Sequence, residues 1–315
     1  MSIPPRVGPP TFLVGSERSG TTLLRLMLDS HPELAFYAEF EWVLQLMTDT
    51  ERWPDLEEFY DFMRLDRSSD HLSVDRSLDY ASLIRSFLEQ KRTKDGKPRV
   101  GATVHLHFDR LFRIWPDARL LHLVRDGRDV AHSCVQRGWY GEVSTAAERW
   151  LTAESLWTEV VKTLPRERYL EVKYEDLAAD PVQVLTRICQ WIGIPYHSAM
   201  LEYPTRSSYT YPRAEFAYQW KGKLTPREVQ LLEARLADAL VSRGYELSGL
   251  PRIDPTPMER ALLRVQNRVG VARARMRSLG PRLWLASVVS ARFGSKAWRT
   301  AVLLKINDVV SSQLD

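Results

Sequence analysis

Eight residues near the amino terminus, Gly15-Ser-Glu-Arg18-Ser19-Gly20-Thr21-Thr22, combine the residue types that hold an anion. An apolar run, Phe12-Leu13-Val14, stops at Gly15, and Gly20 opens a helical pattern of Leu23, Leu24, Met27 and Leu28. Strand, glycine-bounded loop and helix, in that order, aim backbone N–H groups and a positive helix end at a bound phosphate. The spacing is that of a P-loop with one change: Thr21 stands where the lysine would be. That lysine serves the β/γ-phosphates in γ-phosphoryl transfer, so its absence argues against kinase chemistry. Arg18 instead places a cation inside the loop, suited to stabilising charge on a bridging oxygen as its bond breaks.

A second constellation lies a hundred residues on. Arg119-Leu-Leu-His-Leu-Val124 reads as a buried parallel strand. Arg125 sits at its carboxyl end, where ligands bind in open α/β sheets. Ser133 follows eight residues later, about two helical turns on. A guanidinium and a hydroxyl so placed can share one phosphate. Arg128 and Asp129 read as an exposed pair on the same helix.

With these residues in view, Gly15-x-x-Arg18-Ser-Gly-Thr-Thr-Leu-Leu24, followed by His31-Pro32, resembles the 5′-phosphosulfate loop of sulfotransferases that use 3′-phosphoadenosine-5′-phosphosulfate (PAPS), in particular the bacterial and tyrosylprotein-type branch. The resemblance covers roughly residues 10–245. It implies PAPS as sulfuryl donor, held by Arg18, Ser19, Gly20, Thr21 and Thr22, with Arg125 and Ser133 on the 3′-phosphate. It implies a catalytic glutamate at Glu39. The residues alone equally allow a solvated carboxylate there, and Glu41 is a near alternative. Thr103-Val-His105-Leu106 is similar to the Lys-Thr-His-Leu of cytosolic small-molecule sulfotransferases, which makes His105 a rival base; a structural histidine is the plainer reading, and a structural or acceptor-binding role is open to His105 and His107 alike. The lysine many related enzymes carry in that region is absent. Tyr174, opening Tyr-Glu-Asp-Leu177, resembles a tyrosine near the adenine, or is a core residue. Lys221 either touches a cofactor phosphate or is an exposed lysine. Phe36, Tyr37, Phe40, Trp42, Trp139 and Tyr140 either line an acceptor pocket or fill the core. Fixed cations can replace Mg²⁺ in such chemistry, so no metal is expected. An atypical nucleotide kinase and a catalytically silent nucleotide-binding protein are the alternative readings.

The elements that must position these residues alternate. Strands are expected at 11–14, 34–37, 100–106, 119–124 and 169–173. Helices are expected at 20–30, 41–47, 55–65, 77–92, 108–115, 127–138 and 145–164, then up to Gly193. Thr225-Pro-Arg-Glu228 is a capping box opening a helix to Gly244. Alternation of this kind predicts an α/β fold: a three-layer parallel sheet flanked by helices. The family resemblance makes it P-loop nucleotide-kinase-like, with a helical C-terminal extension.

The chain has 315 residues, 44% hydrophobic and 27% charged, ordinary for a globular protein. Its net charge of +4 hides an asymmetry: from 251 onward 12 Lys+Arg face 4 Asp+Glu, leaving 1–250 net acidic. We divide it into a PAPS-binding domain, 1–250, and a basic extension, 251–315. No nucleic-acid partner is expected. Cys134 and Cys189 sit in apolar helical patterns and read as buried thiols, in keeping with a cytoplasmic protein. Met1–Pro10 carries no apolar signal core. In the extension Leu262, Val265 and Val269 share a face beside Arg260, Arg264 and Arg268. That pattern is compatible with peripheral contact with an anionic membrane, a homodimer, or packing on the catalytic domain. The acceptor, whether small molecule, lipid, glycan or peptide, is not written in the sequence.

Overall fold

The computed structural model describes residues 6, 8–50, 52–65, 71–205 and 207–311. Most of the amino-terminal stretch assessed for a signal core, residues 1–5 and 7, lies outside the described residues. Five strands, β1 Thr11–Val14, β2 Leu34–Glu39, β3 Arg99–Val104, β4 Arg119–Val124 and β5 Tyr169–Lys173, form one sheet in the order β2-β3-β1-β4-β5. Every pairing is parallel. Consecutive strands must then be joined by crossovers, which the helices supply.

The period of two along each strand divides the core. Phe12, Val14, Ala102, Val104 and Leu120 face one side, against Ile84 and Phe87 of helix Tyr80–Asp95 and Trp157 of helix Val143–Val161. Leu13, Phe36, Leu121, Leu123 and Val172 face the other, against helices Thr21–Asp29 and Pro181–Ile192. A third cluster joins helices Gly127–Gln136, Val143–Val161 and Pro226–Ser242 through Val130, Cys134, Trp150, Leu232 and Leu236. Cys134 and Cys189 are buried and free.

Most elements fall where the periodicity puts them, and the capping box at Thr225 and Glu228 is formed. The differences have local causes. The helix expected at 41–47 is a single 3₁₀ turn, Glu41–Leu44. The one expected at 108–115 is a 3₁₀ turn, Phe108–Arg110, followed by the short helix Leu111–Ile114. The helix expected from Ser77 starts at Tyr80, because Asp75 holds Ser77 in a turn and Asp79 caps Ser82 N–H.

The C-terminal region is helical: Pro257–Phe293, broken at Gly280 (φ 74°) just before Pro281, then Lys296–Ser311. It is fastened to the sheet domain at close quarters. A Cβ on Gly270 would lie 2.3 Å from Gly141 Cα, and Asn267 Oδ1 accepts from Gly141 N–H at 2.7 Å. Among the described residues no helix is long and apolar enough to cross a membrane.

Candidate active site

Each of the five strands delivers a candidate residue at its carboxyl end. β1 runs into Gly15 and the loop; β2 ends on Glu39; His105, Arg125 and Tyr174 follow β3, β4 and β5. This is the edge where open parallel sheets bind ligands, and the order reverses around β1.

The loop is held tightly. Gly15 has φ 144°, and a Cβ there would lie 2.3 Å from Leu123 O. Gly20, φ 94°, is pressed against the Tyr174 ring, 2.4 Å from where its Cβ would be. Gly20 is also the N-cap of helix Thr21–Asp29 and has no side chain to cap it, so the first N–H groups stay available to a ligand. Arg18 adopts φ 68°, a left-handed conformation costly for a residue with a Cβ. Its Nε donates to Ser133 Oγ at 3.0 Å, and its guanidinium lies 5.8 Å from the Trp139 ring centroid. Burial, then Arg137, lowers the Arg18 pKa. An anion bound there would relieve both.

Arg125 donates to Arg18 O (3.3 Å) and Phe216 O (2.9 Å) and stacks on Tyr174 at 4.4 Å. A cavity of about 180 Å³ opens here, walled by Arg18, Gly20, Thr21, Thr22, Arg125 and Tyr174 and roofed by Tyr209–Pro212 and Phe216. Glu17, the loop's carboxylate, is neutralised by Arg149.

A second cavity, about 530 Å³, lies beyond Thr22. Glu39 and His105 form part of its wall, with Arg25, Phe36, Tyr37 and Lys94. His105 is 2% exposed. Its Nδ1 donates to Gly15 O at 2.9 Å, since a carbonyl can only accept, so in the neutral ring Nε2 carries the lone pair. That Nε2 lies 4.0 Å from Glu39 Oε1. Glu41 does not line this cavity; burial raises its pKa, and its Oε2 has no partner.

The sequence matches the profile of the Sulfotransferase family over residues 9–198. The chain belongs to the sulfotransferase family. This sulfotransferase is 26% identical to protein-tyrosine sulfotransferase 1 of Danio rerio, over 80% of this chain and 77% of that protein. It is 25% identical to the Drosophila melanogaster protein-tyrosine sulfotransferase and 28% to protein-tyrosine sulfotransferase 2 of Gallus gallus. It spans 40% and 54% of the lengths of those two relatives. Among solved structures, the sulfotransferase domain from the curacin biosynthetic pathway overlays with a TM-score of 0.51 at 20% identity, covering 77% of this chain and 99% of that one. That likeness speaks to the fold.

Of the residues singled out in the sequence, this sulfotransferase gathers Arg18, Gly20, Thr21, Thr22, Arg125 and Tyr174 at the smaller cavity and Glu39 and His105 at the larger. Ser133 joins the first group through Arg18. The Ser19 N–H is bound to Ser16 O, and its hydroxyl is buried without a partner. Lys221 is exposed, its ammonium 5.3 Å from the Tyr218 ring centroid, and walls neither cavity. His107 (φ 58°) stands at the start of the 3₁₀ turn after β3, its side chain making no capping hydrogen bond. Phe36 and Tyr37 face the larger cavity, whereas Phe40 and Trp42 are core. Trp139 lies beside Arg18, and Tyr140 packs against the third core cluster.

One expectation is corrected. Arg128 and Asp129 are not a surface pair: they are 1% and 2% exposed. Arg128 bonds both Asp126 oxygens and Glu233 and stacks at 3.7 Å on Trp220, while Asp129 accepts from Trp220 N–H at 2.7 Å. The segment around Trp220 folds back over this helix, which local periodicity could not reveal.

The sequence reading missed the roof, Tyr209-Thr-Tyr-Pro212, and the cations Arg25, Lys91 and Lys94. A cluster of aromatics and proline without periodicity was the available signal for the roof. Arg25, one turn after Thr22 on the same helix, was the signal for the second cavity.

Proposed function

We propose that this sulfotransferase moves a sulfuryl group in line from PAPS to a hydroxyl or amine acceptor, releasing 3′,5′-adenosine bisphosphate. The observation that carries the reading is Thr22, which lines both cavities. A donor seated on the loop side and an acceptor seated beside Glu39 and His105 meet there. The loop suits the donor: its glycines leave room where a Cβ would collide, its helix end is uncapped, and Ser19 Oγ and Arg125 Nε are buried without partners.

Bound PAPS supplies sulfur already activated on a phosphate leaving group. Loop N–H groups, Thr21 and Thr22 hold the phosphosulfate, and Arg18 neutralises charge that develops on the departing phosphate oxygen. Arg125 and Ser133 take the 3′-phosphate, with the adenine against Tyr174. Glu39 removes the acceptor proton as the acceptor–sulfur bond forms and the sulfur–phosphate oxygen bond breaks. His105, anchored through Nδ1, presents its Nε2 lone pair toward Glu39, where it can accept the proton that carboxylate takes up. Holding both partners in one geometry is the larger part of such catalysis.

The relatives are named for action on protein tyrosine, which puts a phenolic hydroxyl first among the acceptor groups to test. The buried free thiols support a cytoplasmic setting. Exposed Leu262, Val265 and Val269 support peripheral contact of the extension with an anionic membrane. Flotation of the full chain with anionic liposomes, lost on removing 251–315, is the expected result for that contact.

The test of the activity is incubation with sulfur-labelled PAPS and fractionated extracts. Label should pass to an acceptor with wild-type protein and far more slowly with Arg18→Ala. Mg²⁺-dependent turnover of ATP in place of sulfuryl transfer would sink the reading, and tight nucleotide binding without any transfer would reduce it to a silent binder.

A further inference from the structure

The larger cavity is not neutral ground. Arg25 projects into it from the second turn of helix Thr21–Asp29, one turn past Thr22. Its guanidinium is partly buried and makes no hydrogen bond or ion pair among the described residues. Burial lowers its pKa, while Asp29 and Glu39 act on it only through space. A guanidinium has five donors, and those of Arg25 are met by no protein acceptor among the described residues and are open to the cavity.

The other charges of the wall do not cancel it. Lys91 is engaged by Asp29 (3.2 Å) and Asp95 (2.8 Å). Among the described residues Lys94 lines the cavity without an ion pair, and Glu39 is the carboxylate of the lining that no Lys or Arg holds within salt-bridge range, His105 lying at 4.0 Å. Thr103, 2% exposed, also lines the cavity, and its hydroxyl is buried without a partner. Phe36, Tyr37 and Leu72 add an apolar wall.

We infer that Arg25, with Lys94, selects an acceptor that is itself a small anion: a hydroxyl presented to Glu39, an apolar and preferably flat body, and a carboxylate or phosphate read by the guanidinium. The inference rests on the acceptor side of the proposed function and names its substrate class. Arg25 is then a specificity residue. Its fork geometry matches a carboxylate or phosphate in two bonds, which an ammonium cannot reproduce. A cavity of about 530 Å³ is of the size that encloses a small organic molecule.

Binding tests this without the natural acceptor. Full-length protein saturated with 3′,5′-adenosine bisphosphate is titrated calorimetrically with 4-hydroxybenzoate, with 4-hydroxyphenyl phosphate, and with neutral 4-hydroxybenzamide. At least one anion should bind about tenfold or more tightly than the amide. The two anions separate carboxylate from phosphate as the preferred group. In Arg25→Gln the preference should vanish and in Arg25→Lys survive in part, with affinity for the adenosine bisphosphate unchanged in both. That unchanged affinity reports an intact fold and nucleotide pocket. Equal affinity for anions and amide, binding by none of them, or a preference that persists in Arg25→Gln overturns the inference. If wild-type protein does not bind the adenosine bisphosphate, the donor reading fails instead, and the same titrations on nucleotide-free protein decide the acceptor question by the same criterion.

Discussion

Arg18 Nε donates a 3.0 Å hydrogen bond to Ser133 Oγ, joining two residues 115 positions apart. Arg125 closes the group by donating to the Arg18 carbonyl. The two sequence motifs that suggest phosphate binding are therefore one physical unit. Arg18 faces a cavity and no carboxylate among the described residues, and Arg125 lines the same cavity with Asp129 at 3.5 Å.

Truncating the two ends of that bond should have unequal effects. Arg18→Ala removes the loop's cation and should lower the transfer rate by about 10²–10³-fold, the usual loss for one donor that stabilises developing charge. Ser133→Ala leaves Arg18 in place, so it should weaken nucleotide binding by less than about tenfold and spare the rate at saturating donor. Single-turnover transfer and nucleotide titration separate the two.

Gly20→Ala puts a Cβ 2.4 Å from the Tyr174 ring at a φ of 94°. Strain of this kind costs about 1–3 kcal/mol. We expect a lower melting temperature and weaker nucleotide binding. Adding Tyr174→Ala should recover part of the stability by removing the collision, but not the part due to backbone strain. Full recovery in the double variant would contradict that division.

Arg128 is the counter-charge of Asp126 and Glu233 in a buried network. Removing one partner of such a network typically costs about 3–5 kcal/mol. Arg128→Met should destabilise the protein on that scale in denaturant titration, and should loosen the Trp220 segment that roofs the helix. A change below about 1 kcal/mol would show that water reaches the carboxylates.

His122 is fully buried between Glu154 (3.2 Å) and Glu171 (3.5 Å) and stacks on Trp157. Burial opposes its charged form, but the two carboxylates outweigh it and raise its pKa above 6.5. The His122 contact is the main cause that holds Glu171 down to about 2, from 4.5. The raised group contributes stability that is complete below 6.5 and fades as pH rises through its folded value; the depressed one contributes above 4.5 and fades toward 2. His122→Gln should therefore lose most melting temperature relative to wild type between pH 4.5 and 6.5, with the deficit narrowing on either side. A deficit independent of pH would mean the ring is neutral.

The proton acceptor divides between two residues 4.0 Å apart. Glu39→Gln should abolish most transfer with nucleotide binding intact. His105→Gln should cost less, because the Gly15 carbonyl can still be met by an amide N–H. Full activity in Glu39→Gln together with loss in His105→Gln would reassign the base.

Much of this was legible in the sequence. Buried parallel strands are continuous apolar runs, so β1 and β4 could be placed to the residue, the edge strand β5 agreed as well, and the residues after them fell at the ligand edge. What could not be read depends on segments meeting at long range. Arg128 looked exposed because nothing near it in sequence announces Trp220 and Glu233. The roof at Tyr209–Pro212 has no period to detect. The anchoring of the extension through Gly141 and Gly270 is a contact of two bare backbones, to which side-chain patterning is blind.

The most direct test of the donor site is a ligand-and-variant cycle on the 3′-phosphate. Affinities of 3′,5′-adenosine bisphosphate and of 5′-AMP are measured for wild type and for Arg125→Met. If Arg125 reads the 3′-phosphate, the bisphosphate should bind wild type at least about 100-fold more tightly than 5′-AMP, and the variant should lose most of that difference. An equal preference in both proteins, or no preference in wild type, would contradict the assignment of this site to PAPS.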